Sequence, residues 1–330
     1  MIWGVLPRIR TFKSFCSMLR IVFLDIKTIG EVPNLEKLKQ LGTFKSYPVT
    51  NPDQTAERIK DADVVITNKV VLDESLIEQA ENLKLICVAA TGMNNIDRTA
   101  AEKNGVKVKN VAGYASDSVA QGTFAMILHL TYRLPEFDHY IKSGEYSKSE
   151  IFTNQERSYR ELKKKRFGII GLGNIGSRVA SIAEAFGAEV VYYSTSGKNT
   201  DQSYPRFDLD ELLKTSDIVS IHAPLNENTE SLISYEQLKL MKQSALLINT
   251  GRGGIVNEQD LARAIDEDLI AGAGLDVFEQ EPINRDNPLL SVKNRQKLVM
   301  TPHITWASVE ARTELVEGII NNIKEYHAPK

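Results

Sequence analysis

The chain has 330 residues, of which 42% are hydrophobic and 25% are charged, and its formal net charge at pH 7 is −3. This length suits two domains better than one. The charge gives no electrostatic reason to expect nucleic acid or an anionic membrane as a partner, and no apolar run approaches the roughly 20 residues that cross a bilayer. Two cysteines, Cys16 and Cys87, indicate neither a disulfide framework nor a metal site, so we expect a cytoplasmic protein without a metal.

The first 17 residues, MIWGVLPRIRTFKSFCS, contain three basic residues and no acidic one. Pro7 and Arg8 interrupt the apolar part early, which argues against a secretory signal peptide. An organelle-targeting leader is one alternative. We expect instead a disordered extension, with Met18 as a plausible start of the chain, and we leave residues 1–17 out of the fold.

Short apolar segments recur along the rest of the chain and predict ten strands. Most are apolar almost continuously, which is typical of strands buried on both faces of a parallel sheet. Parallel strands need crossover helices, and segments such as 208–217 and 257–268 supply them, each with an Asp or Asn as the predicted N-cap. The predicted strands are residues 21–25, 64–67, 83–90, 106–111, 167–170, 190–193, 218–222, 245–249, 272–277 and 298–301.

The alternation of strands and helices predicts an α/β protein with two doubly wound parallel sheets. The first unit would cover residues 18–115, and the second would cover residues 116–304. A last helix over residues 308–326 follows the second sheet, and we expect it to return to the first unit. Two crossings, near residues 116 and 305, predict a hinge with a cleft between two lobes.

Residues 171–176, GLGNIG, fit the pattern G-x-G-x-x-G between a predicted strand and a predicted helix. A further strand at 190–193 completes a β-α-β unit of the size that binds a dinucleotide. Gly171 would permit the turn, Gly173 would let the backbone approach a pyrophosphate, and Gly176 would allow close packing of helix on strand. On spacing alone, a tight turn without a ligand is the alternative.

The second strand of this unit lacks the acidic residue that normally hydrogen-bonds the adenosine ribose of NAD. Ser194 stands in its place, and Thr195 and Lys198 follow. A carboxylate would repel the 2′-phosphate of NADP, whereas hydroxyls and a lysine would accept it. The alternative is a polar loop beside which NAD binds without the acid. The sequence therefore leaves NAD and NADP open as cofactors.

Three polar side chains follow apolar strands in the second unit: Arg252, Glu281 and His303. Ligands of such sheets lie at the carboxyl ends of the strands, so the three should converge. An arginine can hold a carboxylate through two parallel hydrogen bonds, and a histidine can give a proton to a carbonyl oxygen. A nearby carboxylate favours the charged imidazole. The set suits reduction of a 2-oxo acid, although each residue alone could be structural.

Several motifs together resemble the D-isomer-specific 2-hydroxyacid dehydrogenase family over residues 18–326. They are GLGNIG, HAPL from residue 222, NTGRGG from 249, GLDVF from 274, EP at 281–282 and PHI from 302. Trp306 in HITWAS and the run SVAQGTFAMIL resemble its glycerate dehydrogenase or hydroxypyruvate reductase branch. Gly122, in that run, stands where the branch often has a bulkier residue.

The resemblance implies an NAD(P)-dependent oxidoreductase that reduces a small 2-oxo acid, hydroxypyruvate or glyoxylate, to the D-2-hydroxy acid. It implies a flavodoxin-like substrate domain (residues 18–115 and 305–330) and a Rossmann dinucleotide-binding domain (residues 116–304). It also implies a homodimer, with the helix at 121–133 among the contacts. The alternative is a cofactor-sensing binding protein or corepressor on the same fold without significant turnover.

The resemblance also assigns individual residues. The implied catalytic residues are Arg252, Glu281 and His303. The implied cofactor contacts, with those argued above, are Gly171, Gly173, Asn174, Ile175, Gly176, Ser194, Thr195, Lys198, Pro224, Thr250, Gly251 and Asp276, the last near the nicotinamide carboxamide. The implied substrate contacts are Thr91, Gly92, Met93, Arg252 and Trp306.

Overall fold

The computed structural model describes residues 18–155, 158–198 and 202–327. The leader predicted at residues 1–17 lies outside this part of the chain. Contacts divide the chain into two compact units, one reaching to residue 112 and resuming at 313, the other spanning 113–312. The sequence placed these boundaries near residues 116 and 305. Within the described ranges, every helix is too short or too polar to cross a membrane.

The first unit contains a five-stranded parallel sheet with the order β2-β1-β3-β4-β5. This is the flavodoxin-like order, and all positions of β3 and β4 are buried, as their continuous apolar sequences predict. The strands are β1 (Arg20–Phe23), β2 (Thr43–Ser46), β3 (Val64–Thr67), β4 (Leu85–Val88) and β5 (Lys107–Lys109). The helices are α1 (Leu35–Lys39), α2 (Pro52–Ile59), α3 (Glu74–Gln79) and α4 (Arg98–Lys103).

Strand β2 was not predicted from the sequence. It is an edge strand that pairs only with β1, and three of its four residues are exposed. Its sequence, TFKS, therefore lacks the apolar run that marks the other strands. A half-solvated strand of four residues gives too short an alternation to be recognised.

The second unit contains a six-stranded parallel sheet with the order β11-β10-β9-β8-β6-β7. Its strands are β6 (Arg166–Ile170), β7 (Glu189–Tyr193), β8 (Ile218–Ile221), β9 (Leu246–Asn249), β10 (Gly272–Leu275) and β11 (Leu298–Met300). Its helices are α5 (Ser116–Tyr132), α6 (Leu134–Lys142), α7 (Asn174–Ala185), α8 (Leu209–Thr215), α9 (Tyr235–Leu240) and α10 (Glu258–Asp266). The strand order reverses between β6 and β8, which is where such sheets bind ligands.

The predicted caps in the second unit are confirmed. The Asp208 side chain accepts a hydrogen bond from the backbone of Glu211, and that of Asn257 accepts one from Asp260. The last helix, α11 (Val309–His327), continues into the residues grouped with the first unit. There Asn322 Nδ2 donates to the carbonyl of Asn110 at 3.0 Å.

An aspartate at the amino end of each sheet holds the first strand. In the first unit, the Asp63 carboxylate accepts the backbone N–H of Arg20 at 3.0 Å, the Nε of the same arginine at 3.1 Å and the Nζ of Lys84 at 3.0 Å. Burial by itself raises the pKa of Asp63, but these hydrogen bonds outweigh it and lower the pKa below 3.8.

The second unit repeats this arrangement before β8. The Asp217 carboxylate accepts the backbone N–H of Arg166 at 2.9 Å and the Nζ of Lys242 at 3.1 Å. Burial opposes ionisation here too, and the same kinds of partner lower the pKa of Asp217 overall. Both carboxylates therefore stabilise their sheets in the ionised form.

We expect Asp63→Asn to lower the free energy of unfolding at pH 7 by about 1–3 kcal/mol, because hydrogen bonds to a charged group are lost. The folded pKa lies below the unfolded one, so the stabilisation is complete above about pH 4 and disappears as the pH falls through the folded pKa. Urea unfolding of variant and parent at several pH values measures this. Glu36→Gln is the control, since Glu36 pairs with Lys39 at an exposed site. An equal loss in both variants, or one independent of pH, would contradict the prediction.

Candidate active site

The glycine-rich turn after β6 is fixed by packing at two of its glycines. Gly171 has a φ of +91°, which favours glycine, and a Cβ there would lie 2.9 Å from the backbone N of Ala223. A Cβ at Gly176 would lie 2.3 Å from the carbonyl oxygen of Gly171. Any side chain at these two positions would separate α7 from β6 or move the loop after β8.

Gly173 differs, because a Cβ there would meet nothing within 4 Å. It is the N-cap of α7, whose first residue, Asn174, is also exposed, while Ile175 packs partly against the core. The open space thus lies at the N-terminus of a 12-residue helix, beside the reversal of strand order. Free N–H groups and the helix dipole favour an anion at such a position. The residues present therefore fit the pyrophosphate of a dinucleotide.

At the end of β7, Ser194 is buried, with 5% of its surface exposed, and its Oγ has no hydrogen-bond partner among the described residues. Thr195 is half-buried and Lys198 is exposed. Because a buried hydroxyl without a partner is costly, the Ser194 side chain suits a polar group of a ligand. Residues 199–201, which follow, are not described.

A chain of buried hydroxyls connects α5, β8 and β9. Thr250 Oγ1 lies 3.1 Å from His222 Nδ1 and 3.2 Å from Thr123 Oγ1. The other ring nitrogen, His222 Nε2, lies 2.8 Å from Ser220 Oγ. Burial lowers the pKa of His222 to about 3. The ring is therefore neutral at physiological pH, which agrees with a strand-end residue that transfers no proton.

Two more predicted cofactor contacts lie at the ends of β8 and β9. The carbonyl of Pro224 accepts a hydrogen bond from Thr229 Oγ1 at 2.7 Å. The backbone N–H of Gly251 donates to Asn249 Oδ1 at 3.0 Å, and a Cβ at Gly251 would lie 2.9 Å from the carbonyl oxygen of Ala223. These turns follow neighbouring strands, so they share the edge of the sheet that bears the glycine-rich turn.

The structure brings His303 and Glu281 into direct contact. His303 Nδ1 lies 2.7 Å from Glu281 Oε2, while Oε1 of the same carboxylate accepts the backbone N–H of Phe278 at 3.1 Å. The two side chains are 24% and 32% exposed, so water reaches the pair. His303 Nε2 has no partner within the described part of the chain. The geometry thus leaves one ring nitrogen for a substrate and orients it through the other.

Arg252 lies on the turn after β9, next to the strand that leads to Glu281. Its side chain is exposed, and its Nη1 donates to the carbonyl of Gly251 at 2.8 Å. A Cβ at Gly253 would lie 1.8 Å from the carbonyl oxygen of Phe278, so the two turns touch through their backbones. The turn of Arg252 and the segment that carries Glu281 are therefore held side by side.

Tyr114 lies near Arg252 and contacts Trp306, a predicted substrate residue. The rings of Tyr114 and Trp306 meet edge to face, with centroids 6.3 Å apart. Burial raises the pKa of Tyr114 to about 12, and the Arg252 charge opposes the shift. The tyrosine is therefore a protonated, half-buried hydroxyl close to the guanidinium. Tyr114 was not selected from the sequence, and its position just before α5 is the one signal that marks it.

Asp276, predicted at the cofactor, is fully buried at the end of β10. Its carboxylate accepts hydrogen bonds from residues 301–305, the segment that contains His303. Its contact with a cofactor stays a prediction.

The predicted substrate loop lies in the first unit, after β4. Thr91 Oγ1 donates to the carbonyl of Val111 at 3.2 Å, and Asn110 Nδ2 donates to the carbonyl of Thr91 at 2.6 Å. Gly92 is half-buried, and Met93 packs partly against the core of this unit. These bonds fix the loop, but its role toward a substrate stays a prediction.

Residues 124–305 match the family model described as "D-isomer specific 2-hydroxyacid dehydrogenase, NAD binding domain". The chain belongs to this family. The family and the fold predicted from the sequence are therefore confirmed. A D-2-hydroxyacid dehydrogenase of this kind is an NAD(P)-dependent oxidoreductase, as the sequence also predicted.

Two relatives and one solved structure show how far the similarity extends. The dehydrogenase is 37% identical to a glyoxylate reductase of Thermococcus litoralis, over 88% of each chain. It is 34% identical to a hydroxypyruvate reductase of Blautia hydrogenotrophica, over 88% of this chain and 90% of the relative. An acyclic imino acid reductase, Bsp5, in complex with NADPH and D-Arg, superimposes with a TM-score of 0.83 at 30% identity, over 93% of this chain and 97% of the other.

Proposed function

We propose that this dehydrogenase reduces hydroxypyruvate or glyoxylate to the D-2-hydroxy acid, with Arg252, Glu281 and His303 as its catalytic residues. The observation that carries the proposal is the 2.7 Å contact between His303 Nδ1 and Glu281 Oε2. It makes the imidazole an oriented proton donor. The names of the relatives support small 2-oxo acids as the substrates.

The reduced nicotinamide supplies the hydride when it is bound. Arg252 binds the substrate carboxylate and polarises the adjacent keto group, for which its planar fork of donors is suited. His303 donates a proton from Nε2 to the keto oxygen, and Glu281 stabilises the charged imidazole and fixes its orientation. The reverse reaction uses the same groups with the proton moving back to His303.

The two units take different parts in this proposal. The unit spanning residues 113–312 is the dinucleotide-binding domain, and the other is the substrate domain, in which Thr91, Gly92 and Met93 present backbone N–H groups to the substrate carboxylate. Trp306 limits the size of the substrate side chain. No step in this mechanism needs a metal ion.

We expect His303→Ala and Arg252→Ala each to lower kcat/KM for the 2-oxo acid by at least about 10³-fold, because a proton donor or a carboxylate anchor is removed. The cofactor Kd should stay within threefold of the parent, as neither side chain holds the dinucleotide. Steady-state kinetics and fluorescence titration measure the two effects. His327→Ala, at the exposed end of α11, is the matched control. Turnover near the parent level in both variants would end the assignment.

The alternative, a binding protein without turnover, is not favoured by the family and its relatives. A panel of 2-oxo acids with NADH and NADPH tests activity and substrate class together. Because an imino acid reductase shares the fold, the panel should include a 2-oxo acid with and without an amine.

For the cofactor, we propose a preference for NADP(H) over NAD(H). The support is the buried Ser194 hydroxyl without a described partner, followed by Thr195 and the exposed Lys198 instead of a carboxylate. A hydroxyl donor and an ammonium both suit a phosphate dianion.

We expect NADPH to bind at least tenfold more tightly than NADH in fluorescence titrations. Ser194→Asp should reverse this order, because its carboxylate would repel the 2′-phosphate and accept from the ribose hydroxyls. Ser194→Ala is the control that removes the hydroxyl without adding charge. Tighter NADH binding by the parent enzyme would reject the phosphate site.

For its assembly, we propose a homodimer formed through α6 and the segment that follows it. No residue of α6 is buried within the chain. A second copy would cover the exposed apolar side chains here, since a patch of this kind marks an interface. These side chains are Tyr132, Leu134, Ile141, Tyr146, Ile151, Phe152 and Tyr159.

We also propose a cytoplasmic location, which the low cysteine content supports.

We expect the parent enzyme to sediment as a dimer and the double variant Ile141→Asp/Phe152→Asp to sediment as a monomer, because two charges would be buried in the interface. Val71→Asp, at an exposed apolar position of the first unit, is the control and should leave the dimer intact. A monomeric parent, or a dimeric double variant, would refute this interface.

A further inference from the structure

The Asp276 carboxylate accepts four hydrogen bonds from the turn that carries His303. Its Oδ1 accepts from Thr301 Oγ1 at 2.6 Å and from the backbone N–H of Ile304 at 2.8 Å. Its Oδ2 accepts from the backbone N–H of Thr305 at 3.0 Å and from Thr305 Oγ1 at 2.5 Å. A carboxylate offers about four lone-pair positions. All four are thus occupied by donors from residues 301–305.

The same turn holds His303 in a backbone conformation that it would not adopt unaided. His303 has a φ of +53°, in the left-handed region, which costs a residue with a Cβ about 1–2 kcal/mol. Its N–H donates to the carbonyl of Asp276 at 2.8 Å and to that of Thr301 at 3.0 Å. Asp276 therefore fixes this turn through its main chain as well as its side chain.

The other side of the turn rests on α5, at the glycine that the sequence singled out. A Cβ at Gly122 would lie 2.5 Å from Thr305 Cγ2 and 2.8 Å from Thr305 Cβ. One turn earlier on α5, Ser118 Oγ donates to the carbonyl of Thr305 at 2.5 Å and accepts from the N–H of Ser308 at 3.2 Å. Because Gly122 has no side chain, Thr305 can pack directly against the backbone of α5 at this position.

We propose that Thr305, seated on Gly122 and bonded to Asp276, is a positioning residue that sets where the His303 imidazole stands. Asp276 then acts on the position of His303 through this turn. The inference rests on the proposed role of His303 as proton donor. It also accounts for the small residue at 122, because a threonine at 305 and a side chain at 122 exclude each other.

The first test removes the donor of Thr305 and keeps its shape. Thr305→Val should lower kcat by about 10- to 100-fold and raise the solvent deuterium isotope effect on kcat, because proton transfer from a displaced imidazole becomes rate-limiting. The NADPH Kd should change less than threefold. Thr305→Ser keeps the hydroxyl and should recover most of the lost kcat. Thr55→Val removes a buried hydroxyl in the first unit, on α2, and should leave the isotope effect unchanged.

The second test uses the pair at residues 122 and 305. Gly122→Ala should lower kcat at least tenfold, because its Cβ collides with the Thr305 methyl. In Gly122→Ala/Thr305→Ser the 2.5 Å contact with that methyl is gone and the 2.8 Å contact with the Cβ of residue 305 remains, so the double variant should be partly relieved and more active than Gly122→Ala alone. Additive losses would overturn the proposal even if Thr305→Val does not fold.

A third comparison separates this inference from the proposed function. His303→Ala distinguishes failure of the proposed function from failure of this inference alone. If it stays active, the proposed function fails with the inference; if it is inactive while Thr305→Val is normal, only the inference fails.

Discussion

The hydrogen bond between His303 and Glu281 depends on two turns that are each anchored by a buried carboxylate. The turn of His303 is fastened to Asp276, at the end of β10. The segment before Glu281 is fastened to Glu258 on α10, whose Oε1 accepts the N–H of Glu279 at 2.7 Å. Both carboxylates are less than a tenth exposed. A buried carboxylate that loses a hydrogen-bond partner costs free energy, so Asp276 and Glu258 keep these bonds. The bonds in turn hold the side chains of His303 and Glu281 in one relative geometry.

The two sheets have related strand orders, but different groups lie at the crevice where the strand order reverses. In the first unit, the Asp25 carboxylate after β1 accepts the backbone N–H groups of Asn68 and Lys69 after β3. Burial raises the pKa of Asp25, and these bonds oppose the rise. In the second unit, Gly171 follows the first strand and brings no side chain. At the first crevice the chain's own carboxylate accepts the backbone N–H groups, whereas the second leaves helix N–H groups open for a phosphate.

The sequence predicted those parts of the fold that depend on local pattern. Continuous apolar runs revealed the buried strands, and capping residues marked helix starts, but the half-solvated edge strand β2 had no such run. The pairing of Glu281 with His303 followed from their places after neighbouring strands. The contact of Gly122 with Thr305 did not, because it joins a helix to a turn far along the chain, and no spacing records it. The Tyr114 environment was missed for the same reason.

The residues that stabilise the sheets and the residues proposed to react lie at opposite strand ends. Asp63 and Asp217 hold the first strand of each sheet at its amino end, where each accepts a backbone N–H and a lysine. The His303 and Glu281 pair lies beyond the carboxyl ends. Hydrogen bonds lower the pKa of both aspartates, so these carboxylates stay ionised near neutral pH. The proton that the reaction moves is therefore kept apart from the charges that hold the sheets.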